Sequence, residues 1–112
     1  MFASTHYNEE MKFLPIIKSL ISEIIGIKIF IAPRHPERSN KILRNYIENN
    51  LSAKVANETD NTEKDIVIIN SFGNLKKYFI KSDIVVLGGS FIKKGGHNPI
   101  EPAIYNCAIL TG

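Results

Sequence analysis

Ile84-Val85-Val86-Leu87-Gly88-Gly89-Ser90-Phe91-Ile92-Lys93-Lys94-Gly95-Gly96-His97-Asn98-Pro99-Ile100-Glu101-Pro102-Ala103 reads as an apolar strand, a glycine-rich loop and the start of a helix. Four consecutive aliphatic residues suit a strand covered on both faces, and glycines such as Gly88-Gly89 either let a backbone come close to a ligand without a Cβ in the way or close an α/β unit for purely steric reasons. The helix expected from about Asn98 opens with N–H groups that have no internal partner, so its first turn can hold an anion. Glu101, one turn in, can accept hydrogen bonds from sugar hydroxyls. The ligand such a loop suggests is a phosphate beside a ribose, with Gly89, Ser90, Gly96 and His97 supporting the loop. Lys93 and Lys94 form a solvated tip or steer an anion toward it.

Outward from this stretch, strands alternate with helices. Phe2-Ala3 closes a first strand. A helix with Leu14, Ile17, Ile21 and Ile24 on one face follows, begun by Glu9 and Glu10, whose charges suit the helix dipole. Pro15 predicts that its regular part starts only a few residues earlier, and Gly26 marks its stop. Ile27 to Ala32 reads as a strand, Pro33 to Arg38 as a loop too proline-rich for a helix, and Ser39 to Asn50 as a helix burying Ile42, Leu43, Tyr46 and Ile47. Ala53 to Ala56 is a short strand, Asn57 to Lys64 a surface loop and Asp65 to Asn70 a strand. A helix carrying Leu75, Tyr78 and Phe79 comes next; after the glycine loop, a helix to about Asn106 and a strand at Ala108 to Leu110 complete the pattern. This alternation predicts an α/β fold, a Rossmann-like parallel sheet with helices on both faces and ligand at the carboxyl ends of the strands.

The loops at that edge carry compatible chemistry. Ser4-Thr5-His6 follows the first strand, and Pro33-Arg34-His35 the second. Arg34 offers a planar cation for a phosphate or a base carbonyl, unless it pairs with Glu37 at the surface. Phe72-Gly73, followed by Asn74, offers an apolar ledge with open backbone groups for a flat pyrimidine. His6 and His35 also fit structural, hydrogen-bonded roles. Three histidines in separate loops match no metal spacing, so no metal is expected.

At 112 residues the chain holds one core, and with 44% hydrophobic and 22% charged residues it has the composition of a soluble globular protein. No apolar run approaches the ~20 residues that cross a bilayer. The net charge of +3, from 14 basic and 11 acidic residues, is spread along the chain and leaves no nucleic-acid footprint. Cys107 has no cysteine to pair with, which suits a reducing cytoplasm, and its apolar surroundings predict a buried structural thiol.

Gly88-Gly89-Ser90 and Gly96-His97-Asn98-Pro99-Ile100-Glu101-Pro102-Ala103 resemble the donor-binding loop of the bacterial 3-deoxy-D-manno-octulosonic acid (Kdo) transferases, glycosyltransferases with two Rossmann-like domains (GT-B type). Ala3-Ser4-Thr5-His6 with Glu9-Glu10 is similar to the family's Ser-Thr-His-x-Gly-Glu-Glu segment. Pro33-Arg34-His35-Pro36-Glu37-Arg38 is similar to Pro-Arg-His-Pro-Glu-Arg, and Ser71-Phe72-Gly73-Asn74-Leu75 to Thr-Met-Gly-Glu-Leu. Asn8 and Asn74 depart from the pattern, replacing a glycine and a glutamate.

The resemblance covers nearly the whole chain, as one truncated domain over residues 1–112, the nucleotide-sugar-binding C-terminal half. It implies that the cytidine monophosphate (CMP) part of the donor CMP-Kdo is held by Pro33, Arg34, Phe72, Gly73, Asn74, Asn98, Pro99, Ile100 and Glu101, with Ser4, Thr5 and His35 in support. It implies no cofactor. The catalytic glutamate and the lipid A acceptor surface would lie in an N-terminal half that nothing here matches, linked or encoded separately, so the chain alone would transfer nothing. The complete protein would work at the cytoplasmic face of the inner membrane, in lipopolysaccharide synthesis. The alternatives are a non-functional remnant of a truncated or split gene, and a related GT-B nucleotide-sugar enzyme such as an epimerase.

Overall fold

In the computed structural model residues 1–56, 63–71, 75–89 and 100–112 are described, with Ile100 and Glu101 described by their backbone alone. In chain order the elements are β1 (Phe2–Thr5), α1 (Tyr7–Glu23), β2 (Ile29–Pro33), a 3-10 turn (Pro36–Arg38), α2 (Ser39–Glu48), β3 (Ala53–Val55), β4 (Ile66–Ile68), α3 (Leu75–Lys81), β5 (Ile84–Leu87), α4 (Ile100–Ile104) and β6 (Ala108–Leu110). The six strands form one sheet in the order β3-β4-β2-β1-β5-β6. All its pairings are parallel, with Phe2 opposite Ile31 on one side and Val86 on the other. This is the expected Rossmann-like α/β sheet, with β4 slotted between β2 and β3.

Alternation along the strands divides the core into two layers. Phe2, Ile29, Ile31, Ile66 and Ile68 face one way and pack with Phe13, Leu14 and Ile17 of α1 and with Ile42 and Tyr46 of α2. Ala3, Val85 and Leu87 face the other way and pack with Phe79 and Cys107. Phe30, between Ile29 and Ile31, meets Tyr78 of α3 edge-on at 5.0 Å. Right-handed crossovers account for this division, because the chain moves one way from β1 to β2 and the other way from β4 to β5. On the α1 side of β5 and β6, Ile84, Ala108 and Leu110 are exposed. Cys107 is the buried thiol expected, donating to the Phe79 carbonyl at 3.2 Å. No helix among the described residues is long and apolar enough to cross a membrane.

Several boundaries differ from those read in the sequence. α1 begins at Tyr7 and passes through Pro15. Pro15 is exposed, so the carbonyl that it leaves unbonded in the helix can be solvated. The helix ends at Glu23, ahead of Gly26, which takes φ +80° in the following turn. Ile24 therefore lies beyond the helix and is exposed.

Pro36–Arg38 forms a 3-10 turn where only loop was expected, because the fixed φ of proline suits a first helical position. On α2 the stripe Ser39, Ile42, Tyr46 is buried, whereas Ile47 falls one step around the helix and is exposed. Residues 57–62 of the expected surface loop lie outside the described residues.

Burial pulls the Met1 ammonium down from its usual 8.0 to about 6, against the opposing pull of Cys107 and Asp83. The ammonium donates to the Ile84 carbonyl at 2.8 Å, on the β1–β5 seam. Because the folded chain binds this proton less tightly than the unfolded chain, the resulting stability is complete above pH 8 and is lost as pH falls toward 6. Thermal melts of the 112-residue chain between pH 6 and 8 should show that slope. Nα-acetylation, which keeps an N–H donor and removes the titration, should flatten it.

Candidate binding site at the carboxyl edge of the sheet

Open α/β sheets bind ligands beyond the carboxyl ends of their strands, where the strand order reverses. Here the reversal lies between β1 and β5. The end of β1 is irregular, with the register shifting between Ala3 and Thr5 and Ser4 taking φ 58°. Gly88 packs directly on this bulge. Its N–H donates to the Ala3 carbonyl at 2.7 Å, and a Cβ in its place would stand 2.2 Å from the Ser4 carbonyl oxygen and 2.8 Å from Thr5 Cα. Of the two roles open to this glycine, the steric one is seen: it admits the backbone of β1. Gly89 follows with φ 79° and donates its N–H to Glu9 Oε1 at 2.7 Å. That amide is already bonded within the protein.

Glu9 and Glu10, whose charges suit the dipole of α1, are both buried. Glu9 Oε1 also accepts the His6 N–H at 3.1 Å, closing one half of a capping box at the start of α1. Glu10 takes a bidentate ion pair from Arg38, with Nη1 donating to Oε1 at 3.2 Å and Nη2 to Oε2 at 2.6 Å. Thr5 donates its hydroxyl to Glu10 Oε1 at 2.7 Å, and Tyr46 its hydroxyl to the Glu10 carbonyl at 3.4 Å. Burial, and secondarily the Glu10 charge, push the Tyr46 phenol far up, so it remains a protonated donor. Thr5, expected in a supporting role, is fully buried and braces Glu10.

Arg38 links this network to the segment after β2. Its guanidinium also lies over the Tyr7 ring, 5.5 Å from the centroid. Ser39 donates to the Pro36 carbonyl at 2.6 Å and to the Ile69 carbonyl at 3.1 Å, tying the same segment to the end of β4. Pro33 ends β2 and is buried, and the Arg34 N–H donates to the Thr5 carbonyl at 2.9 Å. The Arg34 side chain is exposed at this edge and has no ion-pair partner among the described residues. Glu37, the partner considered for it, instead approaches His35 Nδ1 at 3.9 Å. The His35 ring stands edge-on to His6 with 6.2 Å between centroids.

The structure therefore brings Ser4, Thr5, Pro33, Arg34, His35 and Gly89 to one edge, and leaves Arg34 as its exposed cation. Phe72, Gly73, Asn74, Ser90, Gly96, His97, Asn98 and Pro99 lie outside the described residues. The helix expected from about Asn98 to Asn106 is described over Ile100–Ile104. Among the described residues no group of three or more His, Cys, Asp or Glu side chains could hold a metal ion. The members of the buried network stand in the sequence as the adjacent acids that follow Thr5 and the second arginine of Pro33–Arg38, but no local signal pairs them.

A parallel sheet with helices on both faces and a polar edge at its reversal defines a Rossmann-like ligand-binding domain. No family model matches the chain. A 3-deoxy-D-manno-octulosonic acid transferase of Rickettsia bellii is 42% identical over 114 residues, covering 100% of this chain and 27% of the relative. The transferase of the same name from Haemophilus influenzae is 33% identical, over 98% of this chain and 26% of its own length. The C-terminal CMP-Kdo binding domain of WaaA from Acinetobacter baumannii superposes with a TM-score of 0.87 at 26% identity, covering 96% of this chain and 57% of that one. The chain is thus homologous along its whole length to 3-deoxy-D-manno-octulosonic acid transferases, and spans about a quarter of the curated relatives that it matches.

Two stability predictions follow from this geometry. Gly88→Ala forces a Cβ into backbone that cannot move aside, and should cost on the order of 3 kcal/mol or prevent folding, as read by urea unfolding. Glu10→Met leaves Arg38 without its carboxylate, and Arg38→Met leaves a buried charge unmatched. Each should cost on the order of 3 kcal/mol, the arginine being partly screened by solvent, while the double variant should recover part of the loss.

Proposed function

We propose that this chain is the donor-binding part of a glycosyltransferase that moves Kdo from CMP-Kdo to a lipid A precursor in lipopolysaccharide synthesis. The observation that carries the proposal is the superposition on a CMP-Kdo binding domain, joined to homology with Kdo transferases over the whole chain. Arg34 adds a physical reason, as an exposed guanidinium held by its own backbone at the reversal of the sheet. A planar cation there can take two phosphate oxygens of CMP at once.

In this reading Pro33, Arg34, Phe72, Gly73, Asn74, Asn98, Pro99, Ile100 and Glu101 contact the nucleotide. Glu101 takes the sugar hydroxyls, and Phe72 and Gly73 the flat face of the base. The acceptor hydroxyl oxygen bonds to the anomeric carbon of Kdo as that carbon's bond to the CMP phosphate breaks. The hydroxyl proton passes to a carboxylate base in an N-terminal half, linked or separately encoded, which also receives the lipid. This chain supplies the charge stabilisation of the departing CMP, and needs no cofactor for that step. The complete enzyme works at the cytoplasmic face of the inner membrane.

Calorimetric titration of the purified chain with CMP tests this directly. Saturable binding is expected, weakened about tenfold or more in Arg34→Ala and in Glu101→Ala, with no Kdo transfer by the chain alone. A folded chain that ignores CMP overturns the proposal.

A further inference from the structure

We infer that Glu9 is a positioning residue that sets the glycine turn leaving β5, and with it the start of the donor loop. The inference rests on the donor reading above for its functional consequence, and on geometry for the rest. A carboxylate that served only the dipole of α1 would gain nothing from being sealed away, yet Glu9 has no exposed surface. Burying a charge is costly unless hydrogen bonds surround it, and an ionised carboxylate is an acceptor-only group suited to backbone N–H donors. Oε1 takes such donors from two loops, the His6 N–H after β1 and the Gly89 N–H after β5, which is 80 residues away in the chain. Arg38 neutralises the neighbouring Glu10, while Glu9 Oε1 takes these two backbone amides.

The effect on the turn is specific. The Leu87–Gly88 peptide is oriented by the bond from Gly88 N–H to the Ala3 carbonyl, and the Gly88–Gly89 peptide by the bond from Gly89 N–H to Glu9. Two successive peptide planes are thereby fixed as the chain passes through the positive φ of Gly89. Charge-assisted bonds to backbone N–H groups are shorter and stronger than neutral ones, which favours glutamate for this task.

Amide hydrogen exchange by NMR, with Gly88 as the internal control, separates positioning from general stability. In Glu9→Asp the shorter side chain should release Gly89, whose exchange should quicken about tenfold while Gly88 changes less than about twofold. The CMP Kd should rise about tenfold. Glu9→Gln keeps an acceptor oxygen in place and should bring both readouts back to within about threefold of wild type. Equal exchange at Gly89 in wild type and Glu9→Asp overturns the inference, as does a lower Tm with an unchanged CMP Kd.

If Glu9→Asp does not fold, the Gly89 amide proton resonance decides. Loss of the charge in Glu9→Gln should move it upfield, and an unmoved resonance overturns the inference. A wild-type chain that binds no CMP overturns the donor reading, while exchange at Gly89 still decides whether Glu9 sets the turn.

Discussion

The closest constraint in the molecule is the passage of Gly88 across the bulged end of β1. The sheet reverses its order there, and the backbones of β1 and β5 come nearer than any side chain would allow. Such an approach buries amides and carbonyls that must find partners. The Ala3 carbonyl takes the Gly88 N–H, the Thr5 carbonyl takes the Arg34 N–H, and Glu9 takes the remaining turn amide. The strand ends, the loop after β2 and the glycine turn are therefore consequences of one crossing. The same crossing leaves the guanidinium of Arg34 exposed at the rim of a well-braced edge.

The interior of this edge is unusually rich in charge for its depth. Thr5, Glu9, Glu10 and Ser39 are all buried, and among the described residues every buried side-chain nitrogen or oxygen has a hydrogen-bond partner. A network completed in this way specifies geometry more sharply than apolar packing does, because a shift of any member leaves a polar group stranded. The aliphatic layers on either side supply the bulk of the stability, and the polar cluster fixes the relative placement of the loops.

Most of the fold could be read from local pattern. The aliphatic runs at Ile66–Ile68 and Ile84–Leu87 and the stripe of Phe13, Leu14 and Ile17 carry their periodicity on a few adjacent residues. Pro15 misled because an interior proline normally breaks a helix, and only its position on the solvent side lets α1 continue. Ile24 misled because α1 stops one residue short of it, and Ile47 because periodicity names a face without giving its width. The candidate site was legible as motifs, and Arg34 stands at the edge where its loop was expected. The roles of Glu9, Glu10, Thr5 and Arg38 were not legible, because their partners come from 28 to 80 residues away or depend on which loops the topology brings together. Two acids in a first turn already had a sufficient local explanation, so nothing in the local pattern called for a distant one.

Glu9 and Glu10 are consecutive residues on one turn of one helix, yet they hold opposite sides of the edge. One grips the turn after β5, the other grips Arg38 after β2. The two sides are thus mechanically coupled through a rigid backbone step of a single residue. A displacement or rotation of the first turn of α1 would carry both together, and neither can swing open alone without breaking a buried bond. The edge is therefore built as one jaw with fixed spacing, whose two sides can shift only together.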